Sequence, residues 1–100
     1  MVSLRITLMR LYELVVVLKT SLSDADRKKM LDQVKTWLGD VKVIKEEDWG
    51  QKPLAYKIKR EVAGVYHKWE LETEKVIPAD FETRLIRSDS VLRHLLLRTK

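Results

Sequence analysis

Histidine is the residue type that most readily moves protons near neutral pH, and this sequence has two, His67 and His94. Neither sits in a cluster spaced for metal ligation, which needs several converging His, Cys or carboxylate groups. Both fall on apolar stretches, where a packed or rim histidine is the expected role. There is no cysteine, so thiolate metal sites, Cys nucleophiles and disulfides are excluded, as suits a reducing compartment. Glu46-Glu47-Asp48 could offer oxygens to a hard cation, but no second loop adds ligands, and a solvated acidic turn is expected. The glycines Gly39, Gly50 and Gly64 stand alone, so there is no phosphate-cradling loop. Small acyl-phosphate hydrolases need a Gly-rich loop bearing an arginine, and none is present. Ser21, Ser23, Ser88 and Ser90 lie at turns and caps without a strained nucleophile elbow. No catalytic residue, cofactor or metal ligand is therefore assigned, and a non-enzymatic role is expected.

The remaining chemistry is that of cationic side chains. Lys and Arg number 20 against 15 Asp and Glu, for a net charge of +5 and a pI near 9.6. The excess lies toward the C-terminal half, with 11 basic and 7 acidic residues in 49–100. Arginine and lysine hold nucleic acid through its phosphates and release counterions, with no base-reading groove required. The candidates are Arg10, Lys52, Lys57, Lys59, Arg84, Arg87, Arg93 and Arg98. Arg27-Lys28-Lys29 reads as a solvated helix face. Stacking of bases across a sheet needs several aromatic residues on central strands; only Tyr66 is so placed, and that mode is not expected.

The elements that would position these groups follow from periodicity. Leu11–Lys19 is apolar and β-branched on both faces, with Tyr12, Leu14, Val16 and Leu18 on one and Leu11, Val15 and Val17 on the other, as in a central strand. Ser23-Asp24-Ala25-Asp26 caps a helix whose stripe is Met30, Leu31, Val34, Trp37 and Leu38, ending at Gly39. Residues 41–59 read as one long bent strand or two short collinear ones, with a bend or bulge at Trp49-Gly50, and Pro53 points to a sheet edge. After a turn from Arg60 to Gly64, Val65, His67, Trp69 and Leu71 alternate with polar residues in a further strand. Pro78 opens a short helix with Phe81 and Leu85, and Val91–Arg98 is the last strand. The order β-α-β-β-α-β with right-handed crossovers is an α+β, ferredoxin-like fold: a four-stranded antiparallel sheet with both helices on one face. The other face would show Val15, Val17, Tyr66, Lys68, Leu95 and Leu97, too apolar for bulk water, so a partner is expected there. No apolar run approaches the ~20 residues a bilayer core needs.

Three stretches carry a resemblance. Met9-Arg10-Leu11-Tyr12-Glu13, the run Glu47-Asp48-Trp49-Gly50-Gln51-Lys52-Pro53-Leu54-Ala55-Tyr56-Lys57-Ile58, and Asp89-Ser90-Val91-Leu92-Arg93-His94-Leu95-Leu96-Leu97-Arg98 resemble, in order and spacing, the bacterial small-subunit ribosomal protein six family. The resemblance implies a ferredoxin-like structural component of the small ribosomal subunit, cytoplasmic and ribosome-bound. It also implies pairing with small-subunit ribosomal protein eighteen and binding to the central domain of small-subunit ribosomal RNA. By motif, Arg10 and Tyr12 would meet RNA from the first strand, Lys52, Leu54 and Tyr56 would lie in the interaction strand, and Arg87, Arg93 and Arg98 would hold RNA or the partner. Leu11 stands where many members have an arginine, Gln51 where they have a basic residue, and Lys57 where they have proline.

The expected organisation is a single domain over 9–100, preceded by an extension, residues 1–8, that is disordered or untranslated. The expected RNA-binding set is Arg10, Tyr12, Lys52, Lys57, Lys59, Arg87, Arg93 and Arg98. The expected protein-facing set is Leu54, Tyr56, Tyr66, Leu95 and Leu97; Glu46, Glu47, Asp48, Glu70 and Glu72 either steer a basic partner by charge or serve solubility alone. No small-molecule substrate is expected. The alternative is a ferredoxin-like interaction or regulatory module without an RNA role.

Overall fold

A computed structural model describes residues 10–39, 41–74, 77 and 79–99; the expected extension 1–8, Met9 and the helix-opening Pro78 lie outside these. The elements are β1 (Arg10–Lys19), α1 (Asp24–Leu38), β2 (Lys42–Ile58), β3 (Glu61–Thr73), α2 (Ala79–Arg87) and β4 (Val91–Arg98). The strands form one antiparallel sheet in the order β2-β3-β1-β4. This is the expected ferredoxin-like arrangement, with β1 central and the Pro53-bearing β2 at an edge.

Alternation sets the two faces. Tyr12, Leu14, Val16 and Leu18 of β1 and Val65, His67, Trp69 and Leu71 of β3 are all buried on one face. There they meet Val34 and Leu38 of α1 and Phe81 and Leu85 of α2, so one side of the sheet carries both helices. α1 starts where expected: the Ser23 hydroxyl accepts the Asp26 amide at 3.1 Å, satisfying a free helical donor. Asp24 and Asp26 place negative charge at the positive end of the helix, and Lys35 lies in the last turn.

β2 is longer than its partner and departs from strict pairing three times. Ile44 is an extra residue between Val43↔Leu71 and Lys45↔Glu70, and Trp49 another between Asp48↔His67 and Gly50↔Tyr66. Gly50 has φ 74°, where a residue without Cβ avoids the steric penalty. Between Pro53↔Ala63 and Ile58↔Glu61, four residues of β2, Leu54–Lys57, stand opposite Val62 alone. Pro53, at the head of this wide bulge, has no amide to donate.

Two expectations change. The turn after β2 is not Arg60–Gly64. It is the pair Lys59-Arg60, both left-handed at φ 49° and 68°, and β3 starts at Glu61. Two positive φ values are the geometry of a two-residue hairpin, whose twist suits the flanking strands. Glu46-Glu47-Asp48 is not an acidic turn but part of the interior of β2.

Candidate protein-docking and nucleic-acid interface

The face of the sheet away from the helices is built by register. Val15 lies between Lys68 of β3 and Leu95 of β4, Val17 between Tyr66 and Arg93, and Glu13 between Glu70 and Leu97. A shallow depression of about 140 Å³ is lined by Val15, Val17, Tyr66, Arg93, His94 and Leu95. Leu95 and Leu97 are 48% and 47% exposed. Removing such apolar surface from water stabilises a complex by about 25 cal/mol per Å², so the open face favours a docked protein over solvent. All six residues expected on this face are on it, and Arg93 joins them.

Toward the β2 edge the face becomes cationic and aromatic. Lys52 Nζ stands 5.1 Å from the centre of the Trp49 ring and 5.9 Å from that of Tyr66, and Lys68 Nζ stands 5.7 Å from Trp49. The Trp49 indole N–H donates to Glu47 at 3.1 Å. The bulge expected at Trp49-Gly50 is present, though the sequence assigns the indole itself no role. Its bulge position is what turns it outward, to 41% exposure, and a count of period two through 43–53 breaks at that residue.

The acidic groups are locally matched. Glu47 lies 3.1 Å from Lys45, and Glu13 3.4 Å from Lys68. Glu70 and Glu72 stand opposite Lys45 and Lys42. The Glu47 carboxyl is held below the usual carboxylate range by its Lys45 hydrogen bond and then by Trp49, and Glu47 in turn raises Lys45. The Asp48 carboxylate accepts the Gly50 amide at 2.8 Å, shaping the bulge. Glu46 is on the helix side, 2.9 Å from Lys35 and 3.0 Å from the His67 Nε2. His94 makes the equivalent contact to Glu82 of α2 at 3.0 Å, so both histidines are packed, as expected.

The expected RNA-binding residues fall into two groups at opposite ends of β1. Arg10 opens the strand, where its guanidinium donates to the Glu74 carbonyl at 2.8 Å, and Arg98 lies there too, paired in register with Tyr12. Tyr12 itself is a correction: it faces the helices and belongs to the core at 8% exposure, because strand alternation puts it on the same side as Leu14. About nine residues on, roughly 30 Å at strand spacing, Lys52 pairs with Gly64 and Arg93 with Val17. At this end the Lys59 ammonium donates to the carbonyls of Ser88 (3.2 Å) and Val91 (2.9 Å). That contact draws the β2–β3 turn against the end of α2, where Arg87 is exposed. Arg84 is held by Asp80 at 3.1 Å. Leu54, Tyr56 and Lys57 ride on the wide bulge, with Tyr56 66% exposed.

Comparisons with known proteins meet this geometry. The family model described as ribosomal protein S6 matches residues 11–98. The small ribosomal subunit protein bS6 of Azobacteroides pseudotrichonymphae is 35% identical over 89 residues, covering 87% of this chain and 80% of that one. The bS6 protein of Streptomyces griseus is 32% identical over 92 residues, covering 90% and 96%. Among solved structures, the crystal structure of 30S ribosomal protein S6 from Thermotoga maritima superposes with a TM-score of 0.82 at 20% identity, over 90% of this chain and 87% of that one. That last likeness is one of fold.

Proposed function

The chain belongs to the ribosomal protein S6 family, a structural and non-enzymatic one, and from that premise we propose that it is built into the small ribosomal subunit. There it pairs with small-subunit ribosomal protein eighteen through its open sheet face, and the pair holds the central domain of small-subunit ribosomal RNA. The observation that carries this reading is the open face itself. Leu95, Leu97, Tyr66 and Val15 make a half-exposed apolar strip with the cationic groups Lys52 and Arg93 beside it. A protein seated on the strip removes it from water, and arginines and lysines at its margins reach phosphates of folded RNA.

Binding of a central-domain RNA fragment, measured with this chain and protein eighteen each alone and together, tests the proposal. The pair is expected to bind far more tightly than either protein, with a log–log salt slope of roughly −3 or steeper for four or more phosphate contacts. A flat salt response, or small subunits that lack this chain, contradicts it.

A further inference from the structure

The β2–β3 turn is an unusual place for a lysine followed by an arginine. Two left-handed residues in succession are the province of Asn-Gly and Gly-Gly, because in that conformation a Cβ crowds the following carbonyl oxygen. Backbone held in such a conformation points to a role for the side chains it carries.

The two side chains have different fates. The Lys59 ammonium is taken up by the Ser88 and Val91 carbonyls, placing positive charge beside the C-terminal end of α2, where the helix dipole favours it. Lys59 is thus a positioning residue: it fixes the turn against the α2–β4 junction. Arg60 follows it, exposed, with no carboxylate within ion-pairing distance among the described residues. Arg87 directly precedes Ser88, the residue whose carbonyl Lys59 grips, and is likewise exposed and unmatched by an acid among the described residues. Lys57 is exposed on the neighbouring bulge. Arg84, the other cation of this helix end, is neutralised by Asp80.

We infer that Arg60 and Arg87, brought together by Lys59 and flanked by Lys57, form a phosphate-binding corner that holds the RNA backbone. The corner lies beyond the apolar strip that docks the protein partner. Guanidinium groups suit phosphate oxygens because they donate in a planar fork. Clamping the turn to the helix end spares the ordering cost that a free hairpin would meet on binding. This rests on the ribosomal reading and refines it: it assigns RNA contact to Arg60 and moves Lys59 from RNA contact to support.

The test uses the full chain with protein eighteen and a central-domain RNA fragment. The double variant Arg60→Gln with Arg87→Gln is expected to bind protein eighteen as the parent does, while the log–log salt slope for RNA becomes shallower by about one per arginine. Lys28→Gln with Lys29→Gln, on α1, is expected to leave the slope unchanged. If the Arg60/Arg87 variant keeps the parental slope and affinity, the corner is wrong while the ribosomal role stands. If it loses protein eighteen and not RNA, the assignment to RNA is overturned. If the parental pair itself fails to bind RNA, the ribosomal reading falls with it.

Discussion

Glu46 ties three elements together. It sits on β2, accepts from Lys35 of α1 at 2.9 Å, and lies 3.0 Å from the His67 ring of β3. The Lys35 hydrogen bond, more than the His67 contact, holds its carboxyl below the usual carboxylate range, against a smaller opposing effect of burial. A carboxyl lowered by folding stabilises the native state at pH values above its unfolded value, ~4.3. That stabilisation is lost as pH falls through the lowered folded value. Glu46→Gln is therefore expected to lower the melting temperature at neutral pH, with the gap to the parent closing as the solution is acidified below about pH 4. A gap that stays constant with pH would show that the carboxylate charge contributes nothing. The triplet Glu46-Glu47-Asp48 was visible in sequence as acidic; its division between helix side, open face and bulge came only from alternation along a strand.

At the scale of elements, the close approach of β1 and β3 depends on Gly64. A Cβ built there would run into the Cγ1 of Val17, with the Leu92 side chain 3.4 Å away. The backbone there is ordinary, so the constraint is space and not dihedral angle. Gly64→Ala is expected to destabilise the fold by about 1–3 kcal/mol through overpacking, read as a shifted urea midpoint at unchanged slope. No shift in midpoint would mean that Val17 yields without strain. Sequence reading assigned Gly64 to a turn, since an isolated glycine is a natural end for a strand pattern; pairing with Lys19 places it inside the ladder. The six elements themselves were legible, because periods of two and of three to four differ sharply over runs such as 65–71 and 30–38. The bulges were less so: an extra residue inverts the alternation, and only the partner strand reveals which residue is extra.

For the molecule as a whole, two leucines separate folding from assembly. Leu95 and Leu97 are half exposed and outside the buried core, so Leu95→Ser with Leu97→Ser should change unfolding free energy by less than about 1 kcal/mol. If protein eighteen covers this face, each leucine still has roughly 1 kcal/mol of burial to gain, and the double variant should bind it about tenfold or more weakly. Undiminished binding in a titration calorimeter would place the partner elsewhere.

The sequence by itself determined the class of fold, the central place of β1, the start of α1 and the family, because these rest on local period, capping chemistry and a dense run of residues from Glu47 to Ile58. Tertiary structure alone decided that Tyr12 packs under the helices, that Trp49 turns outward, and that Lys59 is bound to Ser88 and Val91 while Arg60 and Arg87 stay open beside it. The physical reason is separation along the chain. Lys59 and Val91 are 32 residues apart, and no local pattern records which distant carbonyl an ammonium group will meet once strands pair and helices close over the sheet.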